Sequence, residues 1–251
     1  MSSMRPLWKI GLVWLALAGG PPSPAAQPID FSQAKWALDS NSDGITVYRW
    51  TPPSSDLFAF KSSGLIDATV PRLVNILADA KRRPEWAPAL IESYVVRWIS
   101  PVERVEYNRI RTPWPIQDRD FVIQGKAVFD GKGGVALNFH SIEDPQFPEK
   151  GPVRGEAWDS SYALTPTADR KQTVLEYRML IDPKGSVPSW IVNIFQSRFP
   201  HDMILAIRKQ ALKKDIGDYP MPAGSGWEVS PPLASPALET ATLSRPSSPV
   251  K

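Results

Sequence analysis

From Glu92 to Asp182 the chain is a succession of strand-length runs: Glu92–Ile99, Val102–Arg111, Arg119–Val128, Gly134–Ser141, Gly155–Leu164 and Thr173–Asp182. Gly, Pro or Asp separates neighbours, and short strands parted by turn residues predict an antiparallel meander. One long stretch of helical periodicity follows. Pro188 stands where the first position of a helix tolerates a residue without an amide donor. Beyond it Trp190, Ile191, Ile194 and Phe195, then Phe199, Met203, Ile207 and Ala211, recur at the spacing of a single helix face.

Upstream, Gly44–Trp50 is rich in β-formers and Leu57–Lys61 continues the pattern after a Pro-Pro-Ser-Ser turn, which predicts a hairpin. Thr69 then caps a helix carrying Leu73, Ile76, Leu77 and Ala80, which ends before Pro84. The assembled expectation is an α+β helix-grip fold. A curved antiparallel sheet wraps on a long C-terminal helix and leaves an internal hydrophobic cavity between them.

The two ends differ from this body. Met1 to Lys9 carries two positive charges and no acid, Ile10 to Ala18 is an apolar run, and small residues and prolines follow through Ala26. Residues 1–26 therefore form a signal peptide, and the mature chain is expected outside the cytoplasm, periplasmic or secreted. The alternative is an anchor left uncleaved, although the apolar run is about half the ~20 residues that cross a bilayer as a helix. Residues 220–251, rich in Pro, Ser, Ala and Gly, are expected to be a disordered tail. Residues 29–219 are expected to form one domain.

Charge and composition exclude several functions. Arg5 and Lys9 lie in the leader, so the formal +3 becomes +1 for the rest of the chain, too little for a phosphate-backbone surface, and no nucleic acid is expected. Without cysteine there is no thiolate metal site, disulfide framework or cysteine nucleophile. Any zinc site or serine triad has to be built on His140 or His201. His201 and Asp202 are adjacent on a helix and so do not face each other. No nucleophile elbow lies near His140. No cofactor, metal or catalytic residue is expected.

Three segments in order carry a resemblance. They are Lys81-Arg82-Arg83-Pro84-Glu85-Trp86, then Pro113-Trp114-Pro115-Ile116-Gln117-Asp118-Arg119-Asp120-Phe121-Val122, then Asp182-Pro183-Lys184-Gly185-Ser186-Val187-Pro188-Ser189-Trp190-Ile191-Val192-Asn193. Together they resemble the START (steroidogenic-acute-regulatory-related lipid transfer) family, and the third segment with Pro200 is similar to its phosphatidylcholine transfer branch. The resemblance implies a protein that holds one phospholipid or sterol-like ligand in an internal cavity and meets a membrane surface transiently.

The residues of the ligand site follow partly from chemistry and partly from that resemblance. Pro113 and Pro115 lack amide donors, so they hold Trp114 at an edge or turn rather than inside a sheet. Arg119 and Asp120 point to opposite faces of one strand, and only one of them can point inward. The resemblance implies that Arg119 points into the lumen and meets an anionic head group. The alternative is a structural salt bridge to Glu156 or Glu176. Further wall candidates are Tyr107 and Arg109, Trp158 and Tyr162, and Tyr177 and Met179, with Trp190, Ile194 and Phe195 on the helix. These rings can cage a quaternary ammonium or simply fill a core. The helix is also the expected gate. Pro200 interrupts its hydrogen bonding, and Arg208, Lys209, Lys213 and Lys214 are available to an anionic membrane.

Two other functions remain open at this point. One is a cyclase- or hydrolase-like enzyme that uses Asp120, Glu156 or Glu176 in the same cavity. The other is an adaptor that captures partners through its proline-rich tail.

Overall fold

The computed structural model describes residues 31–53, 57–147, 151–185, 187 and 189–227, with the backbone alone described over 189–197. Ten strands and two α-helices follow one another: β1 (Ala37–Ser42), β2 (Ile45–Trp50), β3 (Ala59–Ile66), α1 (Val70–Ala78), β4 (Leu90–Ser100), β5 (Glu103–Ile110), β6 (Arg119–Phe129), β7 (Val135–Ser141), β8 (Val153–Arg154), β9 (Glu156–Pro166), β10 (Thr173–Asp182) and α2 (Ser189–Ala211). The strands form one sheet in the order β1-β2-β3-β10-β9-β7-β6-β5-β4, all antiparallel apart from β8, which lies parallel to β6. Strands β4 to β10 are the expected meander. The N-terminal hairpin joins its far side, because β3 pairs with β10 rather than with its sequence neighbour β4. A curved sheet gripping the C-terminal helix is thus the observed fold.

Local chemistry explains the elements that were legible. Thr69 takes an extended backbone and its Oγ1 accepts from the Arg72 amide at 3.3 Å, capping α1 with Pro71 in its first turn. Strand β1 was not expected. Its sequence, Ala-Leu-Asp-Ser-Asn-Ser, is polar and poor in β-branched residues, and it is held by pairing with β2 at the sheet edge. Helix α2 runs on through the buried Pro200, which leaves the Gln196 carbonyl without its usual donor.

The main core lies between the concave face of the sheet and the two helices. Ile45, Val47, Leu164 and Leu175 from strands meet Leu73, Met203, Ile204 and Ile207 from helices. Burying an aliphatic side chain of this size contributes about 1.5–3 kcal/mol. Helix and sheet approach closely at Gly64, where an added Cβ would come within 3.2 Å of the Ile204 side chain. Two smaller clusters occupy the convex face, one built on Trp50, Ala59 and Leu180, the other on Val105, Tyr107 and Val122.

The domain does not stop at residue 219. Met221 and Ser225 are buried, the Tyr219 amide donates to the Pro71 carbonyl at 3.0 Å, and the Trp227 indole donates to the Gly133 carbonyl at 2.8 Å. Residues 217–227 form a strap from the end of α2 across α1 to the β6–β7 turn, so the expected disordered tail is corrected over 220–227. The remainder of that tail lies outside the described residues, as does the leader. The strap depends on Gly226, which has φ of +84°, and a Cβ there would run into the Gly133 amide and the backbone of Lys132. Gly226→Ala is therefore expected to lift the strap at a cost of about 1–2 kcal/mol. A lower melting temperature, with faster hydrogen exchange at the Gly133 amide that donates to Ser225, checks this.

Candidate functional site

Where α1 ends, a short 3-10 turn at Arg83–Glu85 directs Arg83 down onto the concave face of β5. Its guanidinium donates to Glu106 at 2.6 and 3.2 Å, to Ser93 and Asn108 at 3.3 Å each, and to the Leu77 carbonyl at 2.7 Å. Arg104 closes the other side, pairing with Glu106 and donating to the Ala78 carbonyl at 2.7 Å. The carbonyls at the C-terminal end of α1 thus receive cations, as the helix dipole favours. Glu106 and Asn108 are buried, and both arginines are largely so.

Two guanidiniums therefore share one carboxylate, leaving an excess of buried positive charge. Burial alone would raise the pKa of Glu106, but Arg83 and then Arg104 outweigh it and hold the carboxyl below its ordinary range. Burial likewise opposes the charge on Arg83, and Glu106 more than restores it. Across the concave face Tyr162 stacks on Tyr177, with ring centroids 4.5 Å apart and planes 13° apart. Burial pushes Tyr162 up to about 12 and Tyr177 well up, so both keep their protons at neutral pH. At neutral pH the cluster thus presents one charged carboxylate and two protonated phenols.

The structure assigns the expected site residues to different places. Tyr177 and Met179 line the concave core, and Tyr162 joins them. Tyr107 does not. It belongs to the convex face, stacked 5.2 Å from Tyr94 and 5.6 Å from Phe147, because the alternation of β5 that turns Glu106 and Asn108 toward the helices turns Tyr107 and Arg109 away. Arg109 pairs with Asp118 at 2.8 Å. Trp158 also leaves the pocket wall, packing with Trp50, Ala59 and Leu180. A bulge between β9 and β10 beside Asp159, whose φ is +34°, breaks the alternation that relates residue 158 to 162. Trp114 is 90% exposed on the β5–β6 loop. The side chains of Trp190, Ile194 and Phe195 lie outside the described residues.

Arg119 shares the inward face of β6 with Phe121 and is buried. It makes no ion pair with Glu156 or Glu176. Its guanidinium donates to the carbonyls of Gln117 at 2.5 Å, Pro183 at 3.1 Å and Lys184 at 3.1 Å, tying the β5–β6 loop to the β10–α2 loop. Burial without an acid partner lowers its pKa. Asp120, on the outward face, pairs with Arg154 at 2.8 Å, and Glu156 pairs with Lys184 at 2.9 Å.

The basic end of α2 is mostly engaged as well. Arg208 donates to the carbonyls of Asp43, Gly44 and Leu65, and Lys213 meets Glu85 at 3.0 Å, leaving Lys209 and Lys214 exposed. His201 reaches Ser42 and Asp43 at 3.1 Å each, pinning the β1–β2 turn to the helix. Among the described residues no group of histidine and acidic side chains could hold a metal.

Comparison with known proteins agrees with this fold. Phosphatidylcholine transfer protein from Bos taurus is 29% identical over 167 residues, covering 64% of this chain and 77% of that protein. The crystal structure of a STAR-related lipid transfer protein fragment from Xanthomonas axonopodis superposes with a TM-score of 0.65 at 27% identity, covering 71% of this chain and 99% of that one. Human StAR-related lipid transfer protein 5, at 19% identity and a TM-score of 0.65 over 70% of this chain and 86% of that one, shares the fold. The START domain model matches residues 26–202, which take in the sheet, both arginines of the buried cluster and the upstream half of α2, and the chain belongs to the START domain family.

Proposed function

We propose that this protein takes a single glycerophospholipid from a membrane and shields it between the concave sheet face and the upstream half of α2. The observation that carries the reading is the excess of buried positive charge at Arg83, Arg104 and Glu106. A phosphodiester brings one negative charge and oxygens that match a planar guanidinium fork, so its arrival balances the cluster. The stacked faces of Tyr162 and Tyr177 attract a cationic head group. The similarity to phosphatidylcholine transfer proteins supports the same lipid class. In this reading the head-group contact passes from Arg119 to Arg83 and Arg104.

Exchange takes place at the end of the domain where α2 begins. There the β5–β6 loop presents the exposed Trp114, a side chain suited to a membrane interface, and Arg119 holds that loop against the approach to α2. The setting we propose is outside the cytoplasm, from the character of residues 1–26. No helix among the described residues is long and apolar enough to cross a membrane.

One preparation tests both parts. Protein purified from its native host is expected to release an intact phospholipid in near-equimolar amount on solvent extraction, and to have lost the leader by intact-mass measurement. Extraction of free fatty acid or a cyclised product instead of intact lipid overturns the carrier reading, and a chain beginning at Met1 overturns export.

A further inference from the structure

Ser62 lies on the concave face of β3, and its hydroxyl has no hydrogen-bond partner among the described residues. The residue is 0% exposed, on a strand paired on both sides, opposite Val47 on β2 and Tyr177 on β10. Both of those neighbours belong to the core that the helices cover. Since β3 is an interior strand, the surrounding backbone carbonyls are committed to the ladder. Buried hydroxyls in folded proteins are nearly always partnered, and alanine would fill this position at no such cost.

The location fits a ligand. Ser62, Tyr177 and Tyr162 are consecutive partners across β3, β10 and β9, so a polar row crosses this part of the concave face. Two strand spacings, roughly 10 Å, separate Ser62 from Tyr162, which senses the charge of Arg83. Ser62 is also two residues nearer the start of β3 than Gly64, where Ile204 packs. Because Ala59 pairs with Leu180 just before the chain turns into α2, this is the end where the helix begins.

The partner must be an uncharged acceptor, because the cation beside this stretch of β3, Arg208, is already engaged by the carbonyls of Asp43, Gly44 and Leu65 and is not available to balance a phosphate or carboxylate there. We infer that the Ser62 hydroxyl donates a hydrogen bond to an acyl ester carbonyl of the bound lipid, whose phosphate sits at the arginine cluster. Ser62 then distinguishes ester-linked from ether-linked glycerolipids. The inference rests on the glycerophospholipid reading above.

The test is the Ser62→Ala variant of the mature protein, loaded from vesicles of diacyl phosphatidylcholine or of its dialkyl ether analogue. For the diacyl lipid the variant is expected to bind about tenfold more weakly, the loss of one well-placed hydrogen bond. Binding of the ether lipid is expected to stay unchanged, and the ligand-free variant to melt higher than the parent, since an unpartnered buried hydroxyl has gone. Equal weakening for both lipids, unchanged diacyl binding, or a lower melting temperature of the ligand-free variant overturns the inference while leaving the phospholipid reading intact. If the parent protein binds neither lipid, the phospholipid reading falls and takes the ester contact with it.

Discussion

Replacing Glu106 with alanine is expected to destabilise the fold by about 3–5 kcal/mol, since it strands Arg83 and Arg104 as buried cations without the carboxylate they share. Urea denaturation measures the loss, and an Arg83→Ala, Glu106→Ala double variant is expected to lose less than the two single variants combined. Additive losses would show that the arginines do not depend on this carboxylate. The effect has a pH signature. The folded pKa of Glu106 lies below its ordinary value of 4.5, so its stabilising contribution is fully present above that value. It is lost as pH falls through the lower folded value. The Glu106→Ala variant is therefore expected to show a smaller drop in stability on acidification than the parent.

The second large effect concerns Arg119. Arg119→Ala removes three charged hydrogen bonds between the two loops at the start of α2, and a net loss of about 2–3 kcal/mol is expected after the recovered solvation of the arginine is counted. With the loops untied, lipid exchange between vesicles is expected to run about tenfold faster, while equilibrium affinity of the folded fraction changes little. Melting, ligand titration and exchange measured on the same variant separate the roles. A tenfold loss of affinity at unchanged stability would return Arg119 to the head-group contact that the resemblance first implied.

These two arginines show where reading a chain by local pattern succeeds and where it stops. Arg119 stands out in the sequence because it opens a strand beside an acid of opposite orientation, and the structure does put the two on opposite faces. What it meets there, three carbonyls from residues 117, 183 and 184, depends on bringing together loops more than sixty residues apart. Arg83 lies within the Lys81–Trp86 segment, where no local pattern assigns it a role. Its partner Glu106 looked like one polar residue among several on β5, where Arg104, Glu106 and Asn108 alternate with Val105, Tyr107 and Arg109. Alternation divides such a strand into two sets but does not say which set the helices cover. The aromatic set was the natural choice for a pocket wall, and it belongs to the convex face.

Elements that rest on neighbours a few residues apart are legible in the chain alone. The meander from β4 to β10, the Thr69 cap, the proline turn carrying Trp114 and the long C-terminal helix were all legible, because strand alternation, capping and proline stereochemistry act over short spans. The rest follows from how distant segments pack. It closed β3 onto β10, recruited the polar β1, shifted Trp158 out of phase with Tyr162 through a bulge, and fastened the Gly-rich strap through Trp227. It also gathered Arg83, Arg104 and Glu106 into one buried cluster. The physical reason is common to all of these: each depends on which surfaces meet when the sheet curves, and burial, with the electrostatics that follow from it, belongs to contacts between distant parts of the chain.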